Sequence, residues 1–336
     1  MPEVRLNQIT GDWVIIATER ARRPEEFKHA REPLALPEHS PSCPFCVGNE
    51  AMTPPETFKI TDDRGGWTVR VVPNKFSALT PEGVIVKKRD DLRECLSGIG
   101  LHEVIIESPI HNTTTALLPL PRIEEILVAY RHRQIAFYDD DRVEHVIIFK
   151  NHGEDAGTSL EHPHSQIVGT PVFPGQVMNR LNEAIRNYYY VNFGDCLYCT
   201  YMKGEKDDGL RVVSENEHFL AFVPYAALSP FHVWIYPKRH SACYGHITDD
   251  EIRALAVILK EILLRLYVGL GNPDYNYVIR SLSPGGADAK YFHWYLAIVP
   301  RLTRAAGFEL GTGMYINTSL PEESAEFLRN VPIGEL

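Results

Sequence analysis

The sequence predicts an α+β fold in which one antiparallel unit is used twice, with helices packed on the sheets. Three observations carry this. Two Cys-x-x-Cys pairs, Cys43/Cys46 and Cys196/Cys199, recur at corresponding places in the two halves. Each pair is followed by the same order of elements: two strand-like runs, one long amphipathic helix, two more strand-like runs. Short motifs also recur in that order, VVPNKFSAL beside FVPYAAL and VIIESPIH beside VWIYPKRH. Internal similarity of this kind decides an architecture before single elements do. A chain of 336 residues also fits two units at about 150 residues each. The expected halves are 1–175 and 176–336.

The first forty residues are rich in Arg, Pro and Glu and read as an irregular arm. Runs at 67–74, 102–109, 144–151 and 165–171 are short and rich in Val and Ile, which favours strands. Between them, 122–138 has apolar residues at helical spacing. The second half repeats the pattern with strands at 218–224, 232–237, 275–281 and 294–300. Its helix, 249–270, follows Thr248 as the expected N-cap.

Composition excludes several classes. Lys and Arg number 34 against 44 Asp and Glu, a formal charge of −10, which argues against a general nucleic-acid binder. No apolar run has the length of a membrane span. The N-terminal segment lacks the apolar core of a signal peptide, so a cytoplasmic location is expected. Six cysteines are too few for a disulfide scaffold of this length.

The cysteine pairs instead suggest metal. A structural zinc site needs two more ligands, and histidines occur in register. His111 and His162 follow the first pair; His240 and His293 follow the second. The alternative is free thiols and unrelated histidines, which the coincidence across both halves disfavours. Two zinc ions per chain are expected, held by Cys43, Cys46, His111 and His162, and by Cys196, Cys199, His240 and His293. Cys95 and Cys243 have no such partners.

The densest motif is Ser159-Leu160-Glu161-His162-Pro163-His164-Ser165-Gln166. The extended segment imposed by Pro163 is expected to turn His162 and His164 to different sides, one to a metal and one to a cleft. His164 is then free to react, and the Gln166 amide can stabilise charge on a phosphate or acyl oxygen. The matching place in the second half reads His293-Trp294-Tyr295-Leu296-Ala297. One reactive site per chain is expected, in the first half.

These residues, with RLNQITGDWVIIATERARRP at 5–24 and GFELGTGMYIN at 307–317, make the chain resemble galactose-1-phosphate uridylyltransferases and their nucleotidyltransferase relatives in the histidine-triad superfamily. The resemblance implies a duplicated histidine-triad-like fold. It implies ping-pong transfer, with His164 taking the nucleotidyl group from UDP-glucose and galactose 1-phosphate accepting it to give UDP-galactose. Gln166, Ser159 and Asn151 would contact phosphate, Asn74 the nucleotide side, and Arg20 a phosphate. A homodimer is implied, with the arm at 17–42 as an interface element or a solvated segment.

The chain departs from the pattern at three places. Ser165 stands where many uridylyltransferases have Gly, as also in relatives that act as ADP-sugar phosphorylases, and is counted among the substrate contacts. Gly307 and Thr312 stand where better-known bacterial members carry a Lys and a Tyr that hold the hexose phosphate. The run Gly311-Thr312-Gly313 could bind phosphate through backbone N–H groups instead. Ala297 and Val299 replace histidines that hold a second metal in some relatives. The leading expectation is the uridylyltransferase. The rivals are an ADP-glucose phosphorylase or adenylyltransferase, a nucleotidyl hydrolase, and a zinc-stabilised nucleotide-binding module without turnover.

Overall fold

The computed structural model describes residues 1–17, 24–27, 36–175, 177 and 183–334. Arg20 and much of the arm lie outside the described residues.

Ten strands form one sheet: β1 (Phe58–Thr61), β2 (Trp67–Pro73), β3 (Leu101–Ile106), β4 (His145–His152), β5 (His164–Thr170), β6 (Val212–Glu215), β7 (Phe219–Phe222), β8 (Val233–Pro237), β9 (Tyr275–Arg280) and β10 (Tyr295–Pro300). Their order is β1-β2-β3-β5-β4-β9-β10-β8-β7-β6. Every pairing is antiparallel. The two halves therefore use the same strand order and meet at the β4–β9 pair, where Phe149 faces Val278 and Asn151 faces Asn276. The eight expected strands are all present. The outermost strands β1 and β6 were not expected, because FKIT and VVSE are too short and polar to stand out.

Among the described residues, six helices accompany the sheet: α1 (Leu120–Tyr138), α2 (Glu183–Val191), α3 (Leu197–Asp208), α4 (Asp249–Leu270), α5 (Gly307–Thr312) and α6 (Pro321–Asn330). Only α1 and α4 were expected. A three-stranded sheet joins Glu3–Leu6, Trp13–Ile16 and Tyr315–Asn317, bringing the two ends of the chain together.

Helix α4 starts at a complete capping box. Thr248 Oγ1 accepts the Glu251 N–H at 3.2 Å, and the Glu251 carboxylate accepts the Thr248 N–H at 2.9 Å. Acidic residues Asp249, Asp250 and Glu251 fill its first turn, where the helix dipole favours them. Its apolar stripe, including Leu255, Leu259, Ile262 and Leu266, is buried. Each such side chain contributes about 1.5–3 kcal/mol on leaving water. Helix α1 is tied to β3 by a bidentate pair, Arg133 to Glu103 at 2.7 and 2.8 Å. One apolar cluster contains residues of both halves, so they share a core.

The opposite face differs between the halves. Strand pairing places Gln166, Phe149, Val278, Ala297, Trp234 and Phe222 on one face. In the second half, α3 lays Tyr198 and Tyr201 against Phe222, Trp234, Tyr236 and Tyr295. The place corresponding to His164 is thus filled by packed aromatic rings. Among the described residues, no helix is long and apolar enough to cross a membrane.

Thr248→Ala removes one partner of the capping box and is expected to lower stability by about 1 kcal/mol in urea unfolding, with an unchanged slope.

Candidate active site and metal centres

Cys43 and Cys46 lie in a tight turn ahead of β1. Asn49 holds that turn by donating to the carbonyls of Ser40 and Cys43 at 3.1 and 2.7 Å. His111 follows β3, and His162 ends the loop before β5. All four side chains are buried, and their ligand atoms lie within 4.8 Å of one another. Cys43 Sγ is 3.7 Å from His162 Nδ1, Cys46 Sγ is 3.6 Å from His111 Nδ1, and the two Nδ1 atoms are 3.3 Å apart. Metal bonds of about 2.3 Å to sulfur and about 2.0 Å to nitrogen, on tetrahedral directions, give edges of about 3.5 and 3.3 Å. The donor set therefore fits one tetrahedral ion. His162 Nε2 donates to the Ser108 carbonyl at 2.7 Å, which leaves Nδ1 as the ligand atom. Burial lowers the His162 pKa to about 4, so its ring is neutral and can ligate.

The second cluster differs. Cys196 caps α3 and Cys199 lies in its first turn. Cys196, Cys199 and His240 form the mutually close set. His293 was expected as a fourth equal member. Its Nδ1 is 3.3 Å from Cys199 Sγ, but it stands outside that set. Cys196 Sγ makes a long contact of 3.6 Å to the Tyr291 carbonyl instead. The rest of the parallel holds, since His293 Nε2 donates to the Pro237 carbonyl at 2.7 Å as His162 does to Ser108. A hydrogen bond from Cys199, and His240 beside it, pull the Cys196 thiol down to about 5. This cluster borders a cavity of about 630 Å³.

The reactive candidate His164 begins β5. A regular strand would not separate His162 from His164, because residues two apart share a face. The expected division arises differently: His162 precedes the strand, in a segment that has left the sheet. The Phe45 ring packs edge-on against both imidazoles, at 6.0 Å from His162 and 5.4 Å from His164. His164 Nδ1 lies 2.8 Å from the His162 carbonyl, which can only accept. The proton is therefore on Nδ1, and Nε2 carries the free lone pair. Burial lowers the His164 pKa, and the Lys150 charge adds to this against the opposing hydrogen bond. A neutral ring with a free Nε2 is the form a nucleophile requires.

Gln166, two residues on, shares the face of His164. Asn151 lies on the neighbouring strand, two residues beyond the Gln166 partner Phe149, and so sits on that face as well. Asn74 closes β2, with its Oδ1 accepting the Phe76 N–H at 2.9 Å. His102, which the sequence reading missed, stands between them. Its Nε2 is 2.8 Å from Gln166 Oε1 and 3.0 Å from Asn74 Nδ2. Ser159 is exposed, in the loop between β4 and β5.

Ser165 does not belong with these contacts. It points to the helix side of the sheet, where its hydroxyl accepts from Tyr130 at 2.7 Å. The reason is the two-residue alternation of the strand. Gly311-Thr312-Gly313 is likewise not an open phosphate loop. It ends α5, with Gly313 N–H donating to Glu309 O at 2.8 Å and the Thr312 hydroxyl to Phe308 O at 2.7 Å. Those donors are spent within the helix end.

A buried charge pair underlies His164, also unforeseen. Glu107 and Lys150 are fully or almost fully enclosed and meet at 2.7 Å. Lys150 also donates to the His164 carbonyl at 3.1 Å. Thr115, Tyr130 and Tyr277 supply further bonds to Glu107. Burial alone would raise the Glu107 pKa, but the Lys150 charge and hydrogen bond, together with the Thr115 and Ser165 hydroxyls, outweigh it and hold the carboxylate below its usual range. The available signal was one charge at the end of each apolar run, VIIESP and VIIFKN.

Comparison with known proteins decides the family. The model of the galactose-1-phosphate uridyl transferase N-terminal domain matches residues 1–174, and that of the C-terminal domain matches 182–331. The chain belongs to this family. It is similar to an ADP-glucose phosphorylase of Arabidopsis thaliana, 36% identical over 336 residues, covering 99% of this chain and 93% of that protein. It is also similar to a galactose-1-phosphate uridylyltransferase of Thermotoga maritima, 29% identical, with 99% of each chain covered. Among solved structures, an Arabidopsis thaliana ADP-glucose phosphorylase with bound ADP-glucose superimposes with a TM-score of 0.83 at 34% identity, covering 99% of this chain and 100% of that one. A uridylyltransferase structure gives 0.75 at 30% identity, with 98% of each chain covered. Members of the family are nucleotidyltransferases and phosphorylases, and this chain is one of them.

Two outcomes are expected. Cys43→Ser removes one metal equivalent and lowers the melting temperature by at least about 5 °C, as read by metal analysis and calorimetry. Lys150→Met leaves Glu107 buried and unpaired and costs about 3–5 kcal/mol in urea unfolding. Adding Glu107→Gln to that variant restores part of the loss, because the uncompensated charge is gone.

Proposed function

We propose that the chain is a nucleotidyltransferase that works through a covalent nucleotidyl-His164, with ADP-glucose as donor and inorganic phosphate as acceptor. The observation that carries the covalent step is the His164 Nδ1 bond to the His162 carbonyl, which leaves Nε2 free on the open face of β5. The ADP-glucose reading draws on the Arabidopsis thaliana relative, 36% identical, and on the solved ADP-glucose complex at 34% identity. It replaces transfer of UMP to galactose 1-phosphate as the first choice. The family resemblance agrees with it, since Gly307 and Thr312 lack the Lys and Tyr that hold a hexose phosphate in better-known uridylyltransferases.

His164 Nε2 attacks the α-phosphorus of ADP-glucose. The bond from that phosphorus to the bridging oxygen breaks, and glucose 1-phosphate leaves. Phosphate oxygen then attacks the adenylyl-histidine, giving ADP and returning the lone pair to Nε2. Splitting one transfer in two lets donor and acceptor use the same subsite in turn. Gln166, Asn151 and Ser159 are the proposed contacts to the α-phosphate. Asn74 serves the nucleotide side and Arg20 a phosphate, as an Arg fork suits.

Zinc is the proposed ion in both clusters, two per chain, because paired thiolates and imidazoles suit it. At the first cluster, Cys43, Cys46, His111 and His162 would hold it, and its contribution is to brace the backbone that carries His164. The repeat is read as two histidine-triad-like halves, 1–175 and 176–336, with Tyr295 in place of the reactive histidine in the second. The proposed working state is a homodimer, as the family resemblance implies, in the cytoplasm.

Incubation with α-phosphate-labelled ADP-glucose or UDP-glucose, followed by denaturation, tests the donor. Label from ADP-glucose is expected on His164 and absent in His164→Ala. Faster labelling from UDP-glucose returns the uridylyltransferase reading to first place, and label on another residue sinks the His164 assignment. Cys196→Ser is expected to lower zinc from about two to about one per chain with labelling retained.

A further inference from the structure

An asparagine is useful to a phosphate only if its NH₂ group, rather than its carbonyl, faces the oxygens. In this chain the direction of the Asn151 amide is set from outside its own half. Asn276, directly opposite Asn151 across the β4–β9 junction, donates its Nδ2 to Asn151 Oδ1 at 2.8 Å. The second Nδ2 hydrogen goes to the Ala156 carbonyl at 2.9 Å. Both hydrogens are used on acceptors. Asn276 cannot be turned over, because its Oδ1 accepts from Arg301 Nε at 2.5 Å, and a guanidinium only donates. Polarity therefore runs one way, from Arg301 through Asn276 to Asn151. The Asn151 carbonyl oxygen is engaged, and its NH₂ is kept for a ligand on the His164 face.

The same elements hold the turn that leads to Ser159. Arg304 pairs with Asp155 at 2.6 Å, and Asp274 accepts the Asp155 N–H at 2.7 Å. Gly153 sits so close to Asp274 that a Cβ there would lie 1.9 Å from the carboxylate oxygen, and its φ is +86°. Strand β9 and the segment after β10 thus grip residues 151–156 of the other half.

We infer that Asn276 and Arg301, both from the half without a reactive histidine, are positioning residues that set the direction of the Asn151 amide for the transferred phosphate. This rests on the reading of Asn151 as an α-phosphate contact. It also assigns the second half a part in catalysis beyond fold and metal.

The test is a mutant cycle with two readouts, the rate of His164 labelling by α-labelled ADP-glucose and the binding of AMP by calorimetry. Asn276→Asp keeps the Arg301 contact but can only accept, so Asn151 must turn its NH₂ away from the ligand. Labelling is expected to slow at least about tenfold, and AMP to bind at least about tenfold more weakly. Asn151→Ala should add little to Asn276→Asp, because both remove the same donor. Arg301→Lys, still a pure donor, should stay within about threefold of the parent, while Arg301→Met loses about tenfold. Parent-like values for Asn276→Asp overturn the inference, as does a loss that multiplies with that of Asn151→Ala. If Asn276→Asp does not fold, the Arg301 pair at the exposed end of the relay decides, and equal behaviour of Lys and Met overturns it. If the parent itself takes no label on His164, the transferase reading fails, and AMP binding across the cycle still decides the relay.

Discussion

The hydrogen bond from His164 Nδ1 to the His162 carbonyl joins the first Cys/His cluster to the imidazole proposed as the nucleophile. His162 is held at both ring nitrogens, one among the thiols and one on the Ser108 carbonyl. Its backbone oxygen is thereby fixed in space. That oxygen dictates the tautomer of His164, and the tautomer dictates that Nε2 is the free base. In the proposed reaction the cluster would serve the chemistry without touching substrate. It supplies a rigid acceptor at the one place where an imidazole must not rotate.

Beneath the same strand, the Glu107–Lys150 pair does comparable work from the other side of the sheet. A buried ion pair adds little net stability, since the cost of removing two charges from water offsets their attraction. Its value here is geometric. Lys150 reaches the His164 carbonyl, and the hydroxyl of Tyr130 links Ser165 to Glu107. The backbone of His164 and the side chain of Ser165 are both anchored in the core. Ser165 thus supports the strand and does not read the substrate, which removes it from any argument about base or sugar preference.

The duplicated strand order places the two halves edge to edge, with β4 beside β9. One half keeps an open face with His164, Gln166 and Asn151. The other fills that face with stacked rings, Tyr236 on Tyr295 at 4.8 Å, under α3. The edge of that filled half supplies Asn276 and Asp274 at the junction, and Arg301 and Arg304 beyond β10.

Local pattern was enough to mark the eight inner strands, α1 and α4, and the two Cys-x-x-Cys pairs with His111, His162 and His240. Each of these is written in a short window, as periodicity, a capping residue or a spacing. The edge strands β1 and β6 were not legible, because their few residues carry no such period. Only the tertiary structure decided that Ser165 faces the core, that His293 stands apart from its expected cluster, and that the Gly311-Thr312-Gly313 donors are spent. It alone also brought His102 to Gln166 and Asn276 to Asn151. These are contacts between residues 64 and 125 positions apart in the chain. Which strands become neighbours, and which face each side chain then shares, is a property of the folded sheet and is not encoded in any local window.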